Sequence, residues 1–132
     1  MTDFPYKNLR EALFSIAEKY ADRPAFLQKR LKSGEYEVIT FRQFVEDFTA
    51  LGAILTDMGI QGKRIAIMGA NCYQWIVSYM ACINGLGVVV PLDRELRKHE
   101  VDNLVNRAEC DVVFGVHAVK HNVLFDLRIL CH

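Results

Sequence analysis

Apolar residues in the first third of the chain recur first at helical and then at strand spacing. A helix is predicted to begin at Asn8, whose side chain with Glu11 resembles a capping box. Its apolar face consists of Leu9, Leu13, Ile16, Ala17 and Tyr20. The residue before a proline is pushed out of the helical region, so the segment at Pro24 ends this helix.

The next two apolar runs predict a hairpin followed by a long helix. "AFLQK" and "YEVITF" are separated by "RLKSGE", in which Gly34 supplies the turn. Thr40 and Gln43 have capping-box spacing, and Gly59 stands where a helix commonly ends in the left-handed conformation. Between them lies one apolar stripe: Phe41, Phe44, Val45, Phe48, Leu51, Leu55 and Met58.

After Gly59 the pattern changes to short apolar strands separated by helices. The strands are "RIAIMG" (64–69), "VVVPL" (88–92) and "DVVFG" (111–115), and the helices cover about 72–84 and the segment "KHEVDNLVNRAE". Parallel neighbours need long crossovers, so this βαβαβ order predicts a parallel sheet. The strands are nearly continuous in apolar residues, which indicates a sheet covered on both faces.

The last stretch, residues 116–132, predicts a C-terminal helix. Its apolar stripe consists of Val116, Val119, Val123, Leu127 and Leu130. We expect little for this helix to pack against, and we expect an unpaired edge on the third strand if later strands are missing. The interpretation is a truncated gene product, a degenerate reading frame or a deliberately shortened polypeptide that is marginally stable or self-associates.

Composition narrows the function classes. The 132 residues are 52% apolar and 24% charged, with 16 Lys plus Arg against 16 Asp plus Glu, so charge gives no case for nucleic acid or an anionic membrane. The N-terminus lacks a secretory signal, and the longest apolar segment, 75–91, is too interrupted to span a membrane. Cysteines 72, 82, 110 and 131 have neither CxxC nor disulfide-scaffold spacing, which favours reduced thiols and a cytoplasmic location.

Two glycine turns are candidate nucleotide-binding features. Gly85-Leu86-Gly87 precedes a strand, whereas a dinucleotide fingerprint follows one, so its order is wrong. Gly69-Ala70-Asn71 does lie between a strand and a helix, where free N–H groups could hold an anion. It lacks the lysine and hydroxyl residue of a P-loop, and the simpler interpretation is that Asn71 caps the helix. Trp75 is expected to pack in the core.

The remaining polar candidates carry weaker signals. His117 and His121 would share a helix face with metal-compatible spacing, but neither an intervening glutamate nor a third ligand is evident. His99 and His132 have no partners in sequence. The cations at 63–64 and at 94, 97 and 98 are interpreted as solvated surface charge: Lys63, Arg64, Arg94, Arg97 and Lys98. The sequence therefore predicts no catalytic, cofactor-binding or metal residue.

Three segments in order carry a family resemblance. They are "NLREALFSIAEKYADRPAF", "ITFRQFVEDFTALGAILTDMGIQGKRIAIMGANCYQWIVSYMACINGLGVVVPLD" and "EVDNLVNRAECDVVF". Over roughly residues 8–115 the chain resembles the opening of the adenylate-forming superfamily, most closely the AMP-forming long-chain acyl-CoA synthetases. The implied fold is α/β, an incomplete N-terminal portion of the adenylate-forming enzyme fold. It is expected to be one partial domain with sections 1–62, 63–115 and 116–132.

The resemblance implies a ligase that makes an acyl-adenylate from a fatty acid and ATP and then transfers the acyl group to CoA. The family's Ser/Thr-Gly-rich phosphate loop, its acidic ribose-binding residue and its C-terminal lysine have no counterpart in these 132 residues. ATP, Mg²⁺ and CoA are therefore implied for the whole enzyme and not for this chain, which we expect to be inactive alone. Self-association and pairing with the missing remainder are the expected partner interactions.

Two alternatives remain open on sequence. The chain could be a free-standing interaction module that uses an open sheet edge and the C-terminal helix. More weakly, it could be a small nucleotide-binding protein that uses the turn at 69–71.

Overall fold

The computed structural model describes residues 3–30, 32–119 and 122–130. Within these ranges no helix has the length and apolarity that a membrane span requires. The elements in chain order are α1 (Leu9–Lys19), β1 (Pro24–Lys29), β2 (Tyr36–Thr40), α2 (Phe41–Asp57), β3 (Lys63–Gly69), α3 (Tyr73–Ala81) with a π-helical turn (Cys82–Leu86), β4 (Gly87–Leu92), α4 (Lys98–Arg107), β5 (Val112–Val119) and β6 (Asn122–Ile129).

The predicted starts of the first two long helices are confirmed. The Asn8 side chain accepts the N–H of Glu11 at 2.8 Å, and the Thr40 hydroxyl accepts the N–H of Gln43 at 3.2 Å. Each bond satisfies an N–H group that the first turn of a helix leaves without an intrahelical partner. Gly59 has a φ of +81°, so α2 is followed by the predicted left-handed residue.

The predicted hairpin is also confirmed and packs through one face. Strands β1 and β2 are antiparallel. Phe26 on the inner face of β1 contacts Phe44 of α2, with ring centroids 4.8 Å apart, and Phe44 contacts Phe48 at 5.2 Å. Phe26 also contacts Tyr73 at the start of α3. These edge-to-face aromatic contacts hold the hairpin, α2 and α3 together.

The second sheet has the strand order β4-β3-β5-β6. Strand β3 is parallel to both β4 and β5, as the βαβαβ pattern predicts. One face of the sheet packs on α2, α3 and the π-helical turn through a core that includes Leu55, Ile65, Ile67, Cys82, Leu86, Val112, Phe114 and Val116. The other face packs on α4 through Ala66, Val105 and Cys110. Helices α3 and α4 therefore cover opposite faces.

The predicted C-terminal helix over residues 116–132 is wrong. Strand β5 continues to Val119, and β6 returns beside it in antiparallel register with Val112 opposite Ile129. A helix here would have left the backbone groups along the β5 edge unpaired, and β6 pairs them. The expected lack of packing partners is also wrong, because Leu127 packs on the first core and Leu130 on the second. The positions 120, 121, 131 and 132 lie outside the described residues.

Candidate functional site

A crevice opens at the carboxyl ends of β3 and β4. The chain leaves β3 toward α3 on one face of the sheet and leaves β4 toward α4 on the other. Ligands of open α/β sheets bind where neighbouring connections diverge in this way. The crevice has a volume of about 540 Å³ and is lined by Gly69, Asn71, Trp75, Leu92, Asp93 and Arg94. Its position makes it the candidate functional site of the chain.

Gly69 brings the end of β3 into close contact with β5. A β-carbon at position 69 would collide with the carbonyl oxygen of Val116 and with its side chain. Only glycine therefore lets β3 run past Val116 without displacing the neighbouring strand. The requirement for glycine is explained by sheet packing and does not indicate an approaching phosphate.

The prediction that Asn71 caps the following helix is wrong. The N-cap residue of α3 is Cys72, which has an extended backbone and makes no side-chain hydrogen bond to the helix. A cap at position 71 would require the helix to begin at position 72, but α3 begins at Tyr73. Asn71 therefore lies before the cap, where it is exposed and lines the crevice.

Trp75 packs against the core, as predicted, and also forms one wall of the crevice. Its ring stacks on Tyr79 one turn later in α3, with centroids 5.4 Å apart and planes 17° from parallel. This i, i+4 stack fixes the orientation of the indole without any ligand. The crevice therefore has one aromatic wall.

The charged residues at the crevice are engaged with their sequence neighbours. The Asp93 carboxylate accepts the backbone N–H of Glu95 at 2.9 Å, and the Arg94 guanidinium pairs with the Glu95 carboxylate at 2.8 Å. Arg94 and Glu95 are both exposed, so their pair contributes little to stability. A negative carboxylate beside a paired guanidinium does not make a phosphate site.

The other predicted surface cations lie away from the crevice. Lys98 pairs with Asp102 across one turn of α4 at 2.6 Å, and Arg97 precedes that helix on the surface. Lys63 is exposed. The Arg64 guanidinium donates to the carbonyl of Ala108 at 3.1 Å, which ties the start of β3 to the end of α4.

The second glycine turn, residues 85–87, lies at the amino end of β4 and far along the strand from the crevice. Gly85 has a φ of +98°, and a β-carbon on Gly87 would collide with the carbonyl oxygen of Lys63. The two glycines let the chain leave the π-helical turn and enter the sheet beside β3. As predicted, this turn serves the fold.

His117 does not lie on a helix, so the predicted helix face with His121 is wrong. His117 is exposed on strand β5, and His121 and His132 lie outside the described residues. His99 is exposed on α4. In the part of the chain that the structure describes, no group of three or more His, Cys, Asp or Glu side chains could hold a metal ion.

Among the described cysteines, Cys72 and Cys82 are free thiols. Burial raises the pKa of the Cys82 thiol to about 12, so this side chain is neutral at physiological pH. Burial also raises the pKa of Cys110, an effect that Arg64 opposes. Cys72 is half-buried, and Cys131 lies outside the described residues.

Sequence reasoning missed one polar network beside the start of α3. The Tyr73 hydroxyl donates to Asp47 of α2 at 2.6 Å, and Asp47 also accepts a hydrogen bond from the Gln43 side chain at 2.7 Å. Burial, and then the Asp47 carboxylate, raise the pKa of Tyr73 well above its ordinary value. The i, i+4 spacing of Gln43 and Asp47 is visible in the sequence, but a partner 26 residues away is not.

Comparison with known proteins finds a matching family and several relatives. Residues 13–128 match the family described as AMP-binding enzyme. Long chain acyl-CoA synthetase 1 of Arabidopsis thaliana is 35% identical over 74% of this chain and 15% of its own length. The long-chain-fatty-acid–CoA ligase of Bacillus subtilis is 30% identical over 83% of this chain and 19% of its own length. The chain thus spans less than a fifth of these relatives.

A solved structure has the same fold. The Klebsiella oxytoca NpsA N-terminal subdomain, in complex with 3-hydroxyanthranilyl-AMSN, superposes with a TM-score of 0.73 at 20% identity. The match covers 83% of this chain and 27% of the NpsA chain. At this level of identity the likeness concerns the fold, and it agrees with the predicted α/β class.

Proposed function

The chain belongs to the AMP-binding enzyme family, and from that premise we propose that it forms part of the N-terminal subdomain of an ATP-dependent, AMP-forming acid–thiol ligase. In the proposed reaction a carboxylate oxygen attacks the α-phosphorus of ATP, and pyrophosphate leaves. The sulfur of CoA then attacks the acyl carbon, a thioester forms and AMP leaves. The family match over residues 13–128 is the observation that carries this proposal.

A fatty acid is the proposed carboxylate substrate. The support is that the relatives with 35% and 30% identity are named as long-chain acyl-CoA synthetase and long-chain-fatty-acid–CoA ligase. The crevice does not define the acyl chain, because its lining combines one aromatic wall with the charged residues Asp93 and Arg94.

The proposed role of residues 1–132 is structural, and we propose that they do not adenylate a substrate by themselves. Their sequence has no Ser/Thr-Gly-rich phosphate loop. Among the described residues that line the crevice, the one cation, Arg94, is paired with Glu95. Among the described residues that line the crevice Asp93 is the one carboxylate, and the Arg94 cation next to it in the chain disfavours a Mg²⁺ ion there.

The proposed function is tested with a chimera. Residues 13–128 of this chain replace the matching segment of the Bacillus subtilis ligase, and acyl-CoA formation from a long-chain fatty acid, ATP and CoA is measured. We expect the chimera to form acyl-CoA and the 132-residue chain alone to form none. A folded chimera without acyl-CoA formation would argue against the proposed family role. A chain that is active alone would refute the structural role.

A further inference from the structure

The outer face of the β1–β2 hairpin is an apolar surface without a covering element among the described residues. This hairpin face consists of Leu27, Lys29, Tyr36 and Val38, since Leu27 lies opposite Val38 and Lys29 opposite Tyr36 in the register. The exposed fractions are 65% for Leu27, 67% for Tyr36 and 54% for Val38. Single exposed apolar residues are ordinary on protein surfaces, whereas contiguous apolar patches mark interaction sites, so this group is a candidate interface.

The hairpin face is held in place from behind. On the inner face of β1, Phe26 packs against Phe44 and Tyr73, and the Tyr73 hydroxyl is fixed by Asp47 at 2.6 Å. A partner would therefore meet a preformed surface and would lose little free energy in ordering it.

A groove continues the hairpin face toward α3. It has a volume of about 570 Å³, and its walls are residues 26–29 of β1 and residues 71–76 at the start of α3. Leu27 and Lys29 belong to both the groove and the hairpin face. Trp75 and Ile76 make the opposite wall largely apolar.

We propose that the hairpin face and its groove receive an apolar segment from the remainder of the synthetase polypeptide, an inference that rests on the proposed function. The length of the relatives favours this occupant, because the chain covers only 15% of the Arabidopsis protein and 27% of the NpsA subdomain chain.

The charge of Lys29 indicates which residue type the covering segment should place opposite it. Within the described ranges Lys29 forms no salt bridge, whereas the neighbouring Arg30 pairs with Glu37 at 3.4 Å. The segment that covers the hairpin face should therefore carry an acidic residue opposite Lys29 and apolar residues opposite Leu27 and Val38.

The test uses two double variants at apolar residues that are all more than half exposed. Leu27→Thr with Val38→Thr makes the hairpin face polar while keeping strand-forming residues. Ile54→Gln with Met58→Gln makes the end of α2 and the residue after it more polar, at positions whose exposed fractions are 57% and 52%, and serves as the control.

Thermal unfolding of each variant is measured in the isolated chain and in the chimera. In the isolated chain we expect both variants to melt within about 2 °C of the parent. In the chimera we expect the hairpin variant to melt about 5 °C or more below its parent and the control to stay within about 2 °C. Equal shifts for the two variants in the chimera would overturn the proposal.

Thiol labelling supplies a second measurement that does not depend on the double variants. With Leu27→Cys, maleimide should react at position 27 about 100-fold more slowly in the chimera than in the isolated chain. Equal rates would overturn the proposal. If the chimera does not fold, the same substitution at the aligned position of the intact Bacillus ligase is labelled, and fast labelling in that native enzyme overturns the proposal.

Self-association is the alternative that size-exclusion chromatography detects. A dimer of the isolated chain that becomes monomeric only with the hairpin variant would assign this face to a second copy and overturn the proposal. None of these readouts uses catalysis. A chimera with a protected hairpin but no acyl-CoA formation would refute the proposed function alone, and an active chimera with an accessible hairpin would refute this inference alone.

Discussion

The Tyr73–Asp47 hydrogen bond joins α3 to α2, and Tyr73→Phe removes it while keeping the ring. The hydroxyl and the carboxylate are 2.6 Å apart in a part-buried setting. Loss of a hydrogen bond to a charged acceptor costs about 1.5–3 kcal/mol, and partial exposure places this one near the lower limit, at about 1.5 kcal/mol. For a domain of this size the midpoint of thermal unfolding should fall by about 3–6 °C.

The same hydrogen bond predicts a pH dependence. The pKa of Tyr73 is raised in the folded state, first by burial and then by Asp47. Its contribution to the free energy of unfolding is therefore complete below the unfolded pKa, about 10, and is lost as the pH rises above it. The stability difference between the parent and Tyr73→Phe should be constant from about pH 6 to pH 9 and should shrink above pH 10.

Urea unfolding at pH 7 and pH 10.5, followed by circular dichroism, measures both effects. Tyr36→Phe is the matched control, because Tyr36 is 67% exposed and its phenol should contribute almost nothing. If Tyr73→Phe unfolds at the same urea concentration as Tyr36→Phe at pH 7, the hydrogen bond does not hold α3 to α2. A stability difference between the parent and Tyr73→Phe that grows above pH 10 would contradict the predicted direction of the pH dependence.

Two further predictions concern Gly69, compared with Gly59, and the buried thiol of Cys82. Gly69→Ala should lower the free energy of unfolding by about 3 kcal/mol because of the collision with Val116. Gly59→Ala, which meets no atom within 4 Å, should cost only the left-handed backbone, about 1 kcal/mol; equal losses in urea unfolding would refute the packing argument. Cys82 should stay unlabelled by maleimide at pH 8 while Cys72 reacts, since burial raises the pKa of Cys82 to about 12; peptide mapping that finds Cys82 labelled first would contradict the buried position.

Local signals predict the elements that depend on neighbours in sequence. Asn8 and Thr40 start their helices because a side-chain oxygen reaches an N–H three residues later, and that geometry depends only on adjacent residues. Gly85 marks a turn for an equally local reason, its positive φ. The amino-acid sequence alone is therefore sufficient to predict these features.

Tertiary pairing decides the elements for which the sequence prediction is wrong. The tail from Val116 has apolar residues at a spacing that fits a helix, but its backbone completes the edge of β5, a need that the local pattern does not reveal. The predicted cap of α3, Asn71, and the observed cap, Cys72, are one residue apart, and helix boundaries are the part of a helix that local patterns define least sharply. The crevice itself depends on α3 and α4 covering opposite faces, which follows from strand order and not from any motif.

ATP–pyrophosphate exchange with a long-chain fatty acid tests the central claim most directly, namely that residues 1–132 are a structural part of an adenylate-forming ligase and carry no catalytic group. The isolated chain and the Bacillus chimera are assayed side by side at equal concentration. We predict fatty-acid-dependent exchange by the chimera and none above background by the isolated chain. Robust exchange by the isolated chain would contradict the account, and so would a folded chimera that fails to exchange.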